Sequence, residues 1–306
     1  MIVEREYNGV DDLLKMQKLV SESISMIGER GYFHVGDVPY HIYNNLRSQP
    51  NPDPVAFVRV WENGEGNLIG WVINNPQRKA FDIQIHADYR GCSEESHILD
   101  RAEKLTQEMM QQHNINADFI ETETYEDDEP YIGTLESAGY IYNRKMWTMG
   151  HRSLTAAIPE IELPDGYHFR HLQGIHETQA LAEVYCAAFD TTRSADEYKT
   201  VLESPGFDLR NIVVVVAPNG RFVAFAIVWF DILNKMALFE PVGTHADFRR
   251  KGLGRPLMFY AMNYMLKNGM KTAIVGYSAH KQAVAAFYES VGFKAKYGIL
   301  VYKKPL

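Results

Sequence analysis

The sequence has few cysteines, no long apolar run and no excess of positive charge. Its two cysteines, Cys92 and Cys186, are far apart, which indicates a reducing compartment and argues against a disulfide framework or a cysteine-rich metal site. No stretch reaches the roughly 18 apolar residues of a membrane-spanning helix, and the first residues lack the apolar core of a secretory signal. We therefore expect a cytoplasmic protein without a membrane partner.

Basic charge and metal-ligand spacing are equally scarce. The formal net charge is −8, which argues against nucleic acid as the main partner. The eleven histidines show no spacing of the His-Glu-x-x-His kind, so no metal site is expected.

The length and composition fit a globular protein of two domains. The chain has 306 residues, of which 46% are hydrophobic and 23% charged, as in ordinary soluble proteins. Residues 151–164 contain Pro159 and Pro164 and show no clear period, which is typical of a linker. We therefore predict one domain at residues 1–150 and another at residues 165–306.

The most informative segment reads Arg-Arg-Lys-Gly-Leu-Gly-Arg. It lies between a predicted strand that starts at Met236 and a predicted helix, whose apolar residues recur at helical spacing as far as Gly269. A glycine loop at a helix N-terminus offers free backbone N–H groups and the positive end of the helix dipole to an anion, above all a phosphate. We therefore predict that a phosphorylated cofactor binds at Arg249, Arg250, Lys251, Gly252, Leu253, Gly254 and Arg255.

Two common phosphate-binding patterns do not fit this loop. The sequence lacks the Gly-x-x-x-x-Gly-Lys-Ser/Thr of a Walker loop. A dinucleotide fingerprint needs a third glycine where Leu257 stands, and Glu240 and Pro241 suit a buried parallel strand poorly. The pattern that does fit is Arg-x-x-Gly-x-Gly. A solvated basic turn is the alternative interpretation.

Two further features accompany the loop in a fixed order. Glu240 precedes it on the strand that feeds it, and Phe-Tyr-Glu-Ser-Val-Gly-Phe follows it, ending at Phe293. Together they resemble the acetyl-CoA region of the GNAT acetyltransferase superfamily, over roughly residues 166–304. The resemblance implies an α/β fold with a mixed sheet and acetyl-CoA as co-substrate. It also implies acetyl transfer to a primary amine, on a small molecule or a protein, by direct attack in a ternary complex.

The resemblance implies a role for the backbone of Val242, Gly243 and Thr244. The strand at 236–245 would splay from the strand at 271–277, and these three residues would pair with the pantetheine arm in the gap. The N–H of Val242 would stabilise the developing oxyanion. Gly243 would permit a bulge, or would simply end the strand.

Glu240 and Tyr288 would handle the protons under the same resemblance. Glu240 would accept the proton of the amine, or would anchor a cationic substrate. Tyr288 would donate to the leaving thiolate, since a phenol with a pKa of about 10 is protonated at neutral pH; the alternative is a core tyrosine. The sequence departs from the family at Lys281, where many members have Asn. This lysine would reach a cofactor phosphate or face water.

The two halves of the sequence resemble each other. His-Ala-Asp-Tyr-Arg, which starts at His86, matches His-Ala-Asp-Phe-Arg, which starts at His245. Each half also opens with a strand and an amphipathic helix. The order of these matches predicts a duplicated domain, and the shared position of the two histidines favours a structural role at a strand end.

Only the second copy retains the residues for chemistry. Ser93 and Glu95 replace the two loop glycines, and a side chain there hinders the close approach of a pyrophosphate. The carboxylate of Glu95 would also repel it. Leu135 stands where the second copy has Tyr288. We therefore predict a degenerate first domain and a catalytic second domain, an arrangement that resembles mycothiol synthase and other two-domain members of the superfamily.

The acceptor is expected to be a cationic amine. Carboxylates alternate with aromatic rings in the variable region of the second half and on the strand that follows it, which suits an ammonium group. These residues are Asp190, Asp196, Glu197, Tyr198, Trp229, Phe230 and Asp231. Trp229 and Asp231 are the candidate substrate-binding residues.

Two other functions fit the same motifs. One is a CoA-binding regulatory protein without turnover, against which the intact Glu240 and Tyr288 argue. The other is a mycothiol synthase-like enzyme that acetylates a cysteinyl aminosugar. The loop and tyrosine motifs do not distinguish that acceptor from other amines.

Overall fold

The structure, a computed structural model, describes residues 2–49, 52–204 and 207–306. The strands are β1 (Val3–Glu6), β2 (Val58–Glu62), β3 (Leu68–Asn75), β4 (Ala80–Ile85), β5 (Phe119–Tyr125), β6 (Ile141–Ser153), β7 (His168–His171), β8 (Ile212–Val216), β9 (Phe222–Asp231), β10 (Met236–Thr244), β11 (Thr272–Ser278) and β12 (Lys294–Pro305). The helices are α1 (Gly9–Ile27), α2 (Asp37–Tyr40), α3 (Pro54–Phe57), α4 (Ser93–Gln112), α5 (Glu129–Ser137), α6 (Thr178–Phe189), α7 (Ala195–Leu202), α8 (Gly254–Lys267) and α9 (Gln282–Ser290).

The chain divides into two compact units. The first unit comprises the chain up to Met149, together with Ser278–Lys281 and Lys296–Leu306. The second unit comprises Gly150–Tyr277 and Gln282–Ala295. Within the described residues, none of the helices combines the length and the hydropathy that crossing a bilayer requires.

Each unit is built on a mixed sheet. In the first unit the strand order is β1-β2-β3-β4-β5-β12, and β4 and β5 are the parallel pair among antiparallel neighbours. In the second unit the order is β11-β10-β9-β8-β7, and β10 and β11 are the parallel pair. The predicted α/β class with a mixed sheet is confirmed.

The predicted extent of the second domain differs from this division. Strand β12 pairs with β5 from Ile299 and Tyr125 to Pro305 and Phe119, so the C-terminal strand packs in the first unit. In the predicted linker, residues 151–153 still belong to β6, and only the rest forms turns and irregular chain. Pairing between such distant segments leaves no local signal in a sequence.

The packing of the second unit follows from its apolar patterns. Strand β8 reads Ile-Val-Val-Val-Val, and all its side chains are buried, as expected of a strand that is covered on both faces. Helix α8 buries the stripe that predicted it, including Leu257, Ala261 and Met265. The helix ends before Gly269, whose φ of +83° is a conformation that favours glycine.

Candidate active site

The carboxyl end of β10 separates from β11. The two strands pair from Met236 and Thr272 to Phe239 and Val275. Strand β10 then continues to Thr244 and β11 to Ser278, without further pairing between them in this fully described region. The backbone of residues 240–244 therefore faces a gap on the β11 side, as the resemblance implied, and its polar groups that have no partner within the protein can pair with an extended ligand.

A bulge in β10 lies where the strands begin to separate. Phe239 is opposite Val228 on β9, but Val242 is opposite Ala226, so β10 carries one extra residue between them. The bulge thus lies at Glu240 and Pro241. The sequence predicted it at Gly243, two residues later in the strand. The indole N–H of Trp229 donates to the carbonyl of Glu240 at 2.9 Å and holds the bulge in place.

Gly243 is required by packing instead. A Cβ at this position would lie 2.6 Å from the ring of Phe225 and 2.8 Å from the Cβ of Ala188. Both distances are shorter than van der Waals contact. The glycine therefore lets α6 and the ring from β9 press against the end of β10.

The basic loop has the geometry of an anion site. Its backbone takes positive φ at Arg250 (+62°) and Gly252 (+77°), and the buried Leu253 anchors it before α8 begins at Gly254. No side chain caps the start of α8 in this described region. The first N–H groups of the helix are therefore free to bind an anion.

The cations of the loop divide into two groups. Arg249 donates to the carbonyl of Ala188 at 2.6 Å and to that of Thr244 at 3.4 Å, which fastens the loop to α6 and β10. Lys251 lies over the ring of Phe248, with its Nζ 4.4 Å from the centroid. The remaining cations, Arg250 and Arg255, are exposed. The loop thus combines a structural arginine with charges that can reach a phosphate.

His245 caps the turn that leads into this loop. Its Nδ1 accepts the N–H of Asp247 at 3.1 Å, and its Nε2 lies 2.8 Å from Arg221. Burial and the nearby Arg221 lower the pKa of His245 below its ordinary value. His86 accepts the N–H of Asp88 in the same way, which agrees with the structural role predicted for both histidines.

Tyr288 is buried on α9, and the charge of Glu240 affects the pKa of its hydroxyl. Its ring packs against Tyr277 and Phe293, with centroids 5.4 Å and 5.9 Å away. Burial raises the pKa of Tyr288 well above its ordinary value, and the charge of Glu240 raises it further. The hydroxyl therefore stays protonated at neutral pH.

The predicted acceptor residues are mostly engaged within the protein. Glu197 completes a capping box with Ser194 at the start of α7. Asp231 is buried in the β9–β10 turn, where it accepts the N–H of Asn234 at 3.2 Å and its side-chain amide at 2.7 Å. It pairs with Met236, about 13 Å along the sheet from the bulge at Glu240. The structure therefore does not bring Asp231 to the predicted site, whereas Trp229 lies beside it.

Arg193 is the residue near this site that sequence reasoning missed. Its guanidinium lies 4.9 Å from the ring centroid of Tyr185 and 4.6 Å from that of Tyr198. The pKa of Tyr198 is raised, first by burial, while Arg193 lowers it and Glu240 raises it. A cation of the protein thus already occupies the face of Tyr198, one of the three aromatic rings that were expected to receive a cationic amine. The capping box directly after Arg193 marks the start of α7 in the sequence, but it does not reveal the position of the arginine.

Lys281 lies in the turn between β11 and α9. It is exposed, and its backbone N–H donates to the carbonyl of Ser278 at 3.2 Å. A reach to a cofactor phosphate stays a prediction.

The first unit contains the counterpart of the basic loop, and a carboxylate fills it. Arg90, the counterpart of Arg249, pairs with Glu95 at 2.8 Å and with Asp128 at 2.6 Å. The N–H of Gly91 donates to the same Glu95 at 3.0 Å. Glu95 thus supplies from within the protein the negative charge that a pyrophosphate would bring.

Comparison with known proteins relates part of the chain to a known family. Residues 210–295 match the family model of the acetyltransferase (GNAT) domain. The ribosomal protein bS18-alanine N-acetyltransferase of Escherichia coli (strain K12) is 36% identical over 75 residues, which are 24% of this chain and 49% of that protein. The mycothiol acetyltransferase of Paenarthrobacter aurescens (strain TC1) is 26% identical over 168 residues, 51% of each chain. The chain thus spans about half the length of these curated relatives.

A solved structure extends the likeness to the whole chain. A tandem GNAT protein from the clavulanic acid biosynthesis pathway superposes with a TM-score of 0.64 over 100% of this chain and 98% of that one, at 14% identity. The predicted fold of two tandem GNAT-type domains is therefore confirmed. Residues 210–295 thus match the GNAT acetyltransferase domain, and the whole chain has the fold of a tandem GNAT protein.

Proposed function

We propose that the protein is an acetyl-CoA-dependent N-acetyltransferase, whose second unit transfers an acetyl group to a primary amine. The observation that carries this proposal is the separation of β10 from β11 after Phe239, which leaves Glu240 and the backbone after it beside a gap, in the unit that also contains the buried Tyr288. Both residues belong to the unit in which β10 leaves β11 and runs into an uncapped helix start. A regulatory protein without turnover would have no use for this pair.

The residues present fit acetyl-CoA. The N–H groups at the start of α8, with Arg250 and Arg255, would bind its pyrophosphate. The open backbone of Val242, Gly243 and Thr244 would pair with its extended arm. Acetyl-CoA would supply the activated thioester.

The protons would move between two groups of the protein. Glu240 would accept the proton that the attacking amine loses, directly or through water, or would hold an ammonium group in place. The hydroxyl of Tyr288 would donate to the departing sulfur. The N–H of Val242 would stabilise the oxyanion, a contribution of about 3–4 kcal/mol for such a donor in other enzymes.

Tyr288→Phe tests the chemical step. It removes one hydroxyl and keeps the ring, so we expect kcat to fall by about 100-fold or more, with the Kd for acetyl-CoA nearly unchanged. Tyr277→Phe is the matched control, because Tyr277 is also buried and packs against Tyr288. The proposal fails if Tyr288→Phe leaves kcat unchanged under conditions where chemistry limits the rate.

The acceptor is best found by a screen of amines that follows the release of free CoA thiol. The relatives suggest two acceptors to include, a peptide with an N-terminal alanine and a cysteinyl aminosugar. A cationic amine stays among the candidates, although Arg193 and the internal bonds of Glu197 and Asp231 weigh against it. If no amine supports thiol release while acetyl-CoA binds, the regulatory alternative replaces the enzyme.

A further inference from the structure

The first unit keeps a carboxylate at the position of Glu240. The parallel pair of the first unit ends at Phe81 on β4, and that of the second unit ends at Phe239 on β10. The residue that follows is Asp82 in one unit and Glu240 in the other. The spacing from Asp82 to Glu240 is one residue shorter than the spacing from Arg90 to Arg249. The extra residue in the β10 bulge, which lies between Glu240 and Arg249 in the chain, accounts for this difference.

Asp82 lines a polar cavity within the first unit. The cavity has a volume of about 60 Å³, and its polar lining includes His41, Asn45, Asn75, Arg78, Asp82 and Glu123. A buried water needs about 10–15 Å³ of such volume, so the cavity has room for a molecule of about four to six heavy atoms. His41 opens a π-helical turn, His41–Asn45, a feature that is frequent at functional sites.

The charges around this cavity leave one carboxylate without a partner. The Nδ1 atom of His41 lies 2.8 Å from the carboxylate of Asp82. Burial lowers the pKa of His41, but the nearby Asp82 outweighs this effect and raises the pKa to about 9. Glu121 is held by Arg144 at 2.7 Å and 2.9 Å. Among the described residues, no hydrogen bond or ion pair reaches the carboxylate of Glu123. Burial, reinforced by the charge of Asp82, raises the pKa of Glu123 to about 7.

We propose that this cavity, the first-unit pocket, binds a small primary amine through Glu123. Arg78 and the amide of Asn75 hold a second polar group of the ligand, such as a hydroxyl. An ammonium group supplies the half-buried carboxylate of Glu123 with a charged partner at hydrogen-bond distance. Because Glu95 fills the neighbouring anion position, the pocket binds its ligand without transferring an acetyl group. This inference stands independently of the proposed function.

Titration of the full chain with ethanolamine, followed by calorimetry, tests the pocket. Ethane-1,2-diol is the neutral probe of equal size and should not bind measurably. Glu123→Gln should raise the Kd for ethanolamine at least tenfold, while Glu129→Gln, an exposed change on α5, should leave it unchanged. Arg78→Met should abolish the preference for ethanolamine over ethylamine.

The pH dependence gives a second readout. The charged groups that face Glu123 are His41, Arg78, Asp82, Glu121 and Arg144. Since Glu123 loses its proton near pH 7, affinity should rise by up to about tenfold from pH 6 to pH 8, and Glu123→Gln should remove this rise. Equal binding of the diol, or unchanged binding by Glu123→Gln and Arg78→Met, would overturn the proposal. Loss of ethanolamine binding in Glu240→Gln alone would also overturn it, because the ligand would then lie in the second unit.

Discussion

Replacing Gly252 by alanine should weaken acetyl-CoA binding as well as lower the stability of the fold. Gly252 has a φ of +77°, and a Cβ there would meet no atom within 4 Å. The change therefore causes no clash and costs only the left-handed strain of an L residue, roughly 1–2 kcal/mol. If the loop turns to negative φ to relieve this strain, its N–H groups leave the anion site. We expect the Kd for acetyl-CoA to rise about tenfold, which corresponds to about 1.4 kcal/mol.

Gly269→Ala is the matched control for this change. Gly269 lies at the other end of α8, has a φ of +83°, and would likewise place its Cβ in open space. Both variants should lower the melting temperature by a similar amount, about 2–4 °C, while only Gly252→Ala should change the Kd measured by calorimetry. The reasoning is refuted if Gly252→Ala binds as tightly as the unaltered protein, or if Gly269→Ala weakens binding equally.

Three further changes probe the rest of the site. If Glu240 is the base, Glu240→Gln should lower kcat and flatten the acidic limb of the pH profile. If Glu240 anchors the substrate, the same change should raise the KM of the amine. If both parameters stay constant, Glu240 has neither role. Gly243→Ala should destabilise the protein by about 1–3 kcal/mol in chemical denaturation, because its Cβ would lie 2.6 Å from Phe225; an unchanged midpoint would show that the neighbours yield freely. Calorimetry should give one acetyl-CoA per chain, since Glu95 fills the anion position of the first unit, and two equivalent sites would contradict this.

Local sequence patterns were enough to predict the strand and the helix on either side of the predicted cofactor loop. The apolar stripe of α8 and the glycines around it set where the helix begins and ends, because helix boundaries depend on neighbouring residues. The match between the arginine motifs of the two halves predicted the duplication, and replacement of the loop glycines predicted the degenerate copy. Each of these inferences rested on short motifs, within which the residues are close in sequence.

Tertiary structure decided what depends on distant residues. The C-terminal strand β12 belongs to the first unit because its partner is β5, far away in the chain. Sequence spacing placed Asp231 near Glu240, but in the folded hairpin it turns to Asn234. Arg193 reached its place between two tyrosine rings only through the packing of α6 and α7.

Two carboxylates of the first unit, Glu95 and Asp82, illustrate the difference between what the sequence reveals and what only the structure reveals. Glu95 was visible in the sequence as a residue that replaces a glycine, since it stands in a matched motif. Asp82 was not, because its match to Glu240 follows from the register of parallel strands and from a bulge in β10. A sequence reveals which residues occupy a local pattern, whereas strand register and side-chain burial arise only when separate segments pack together.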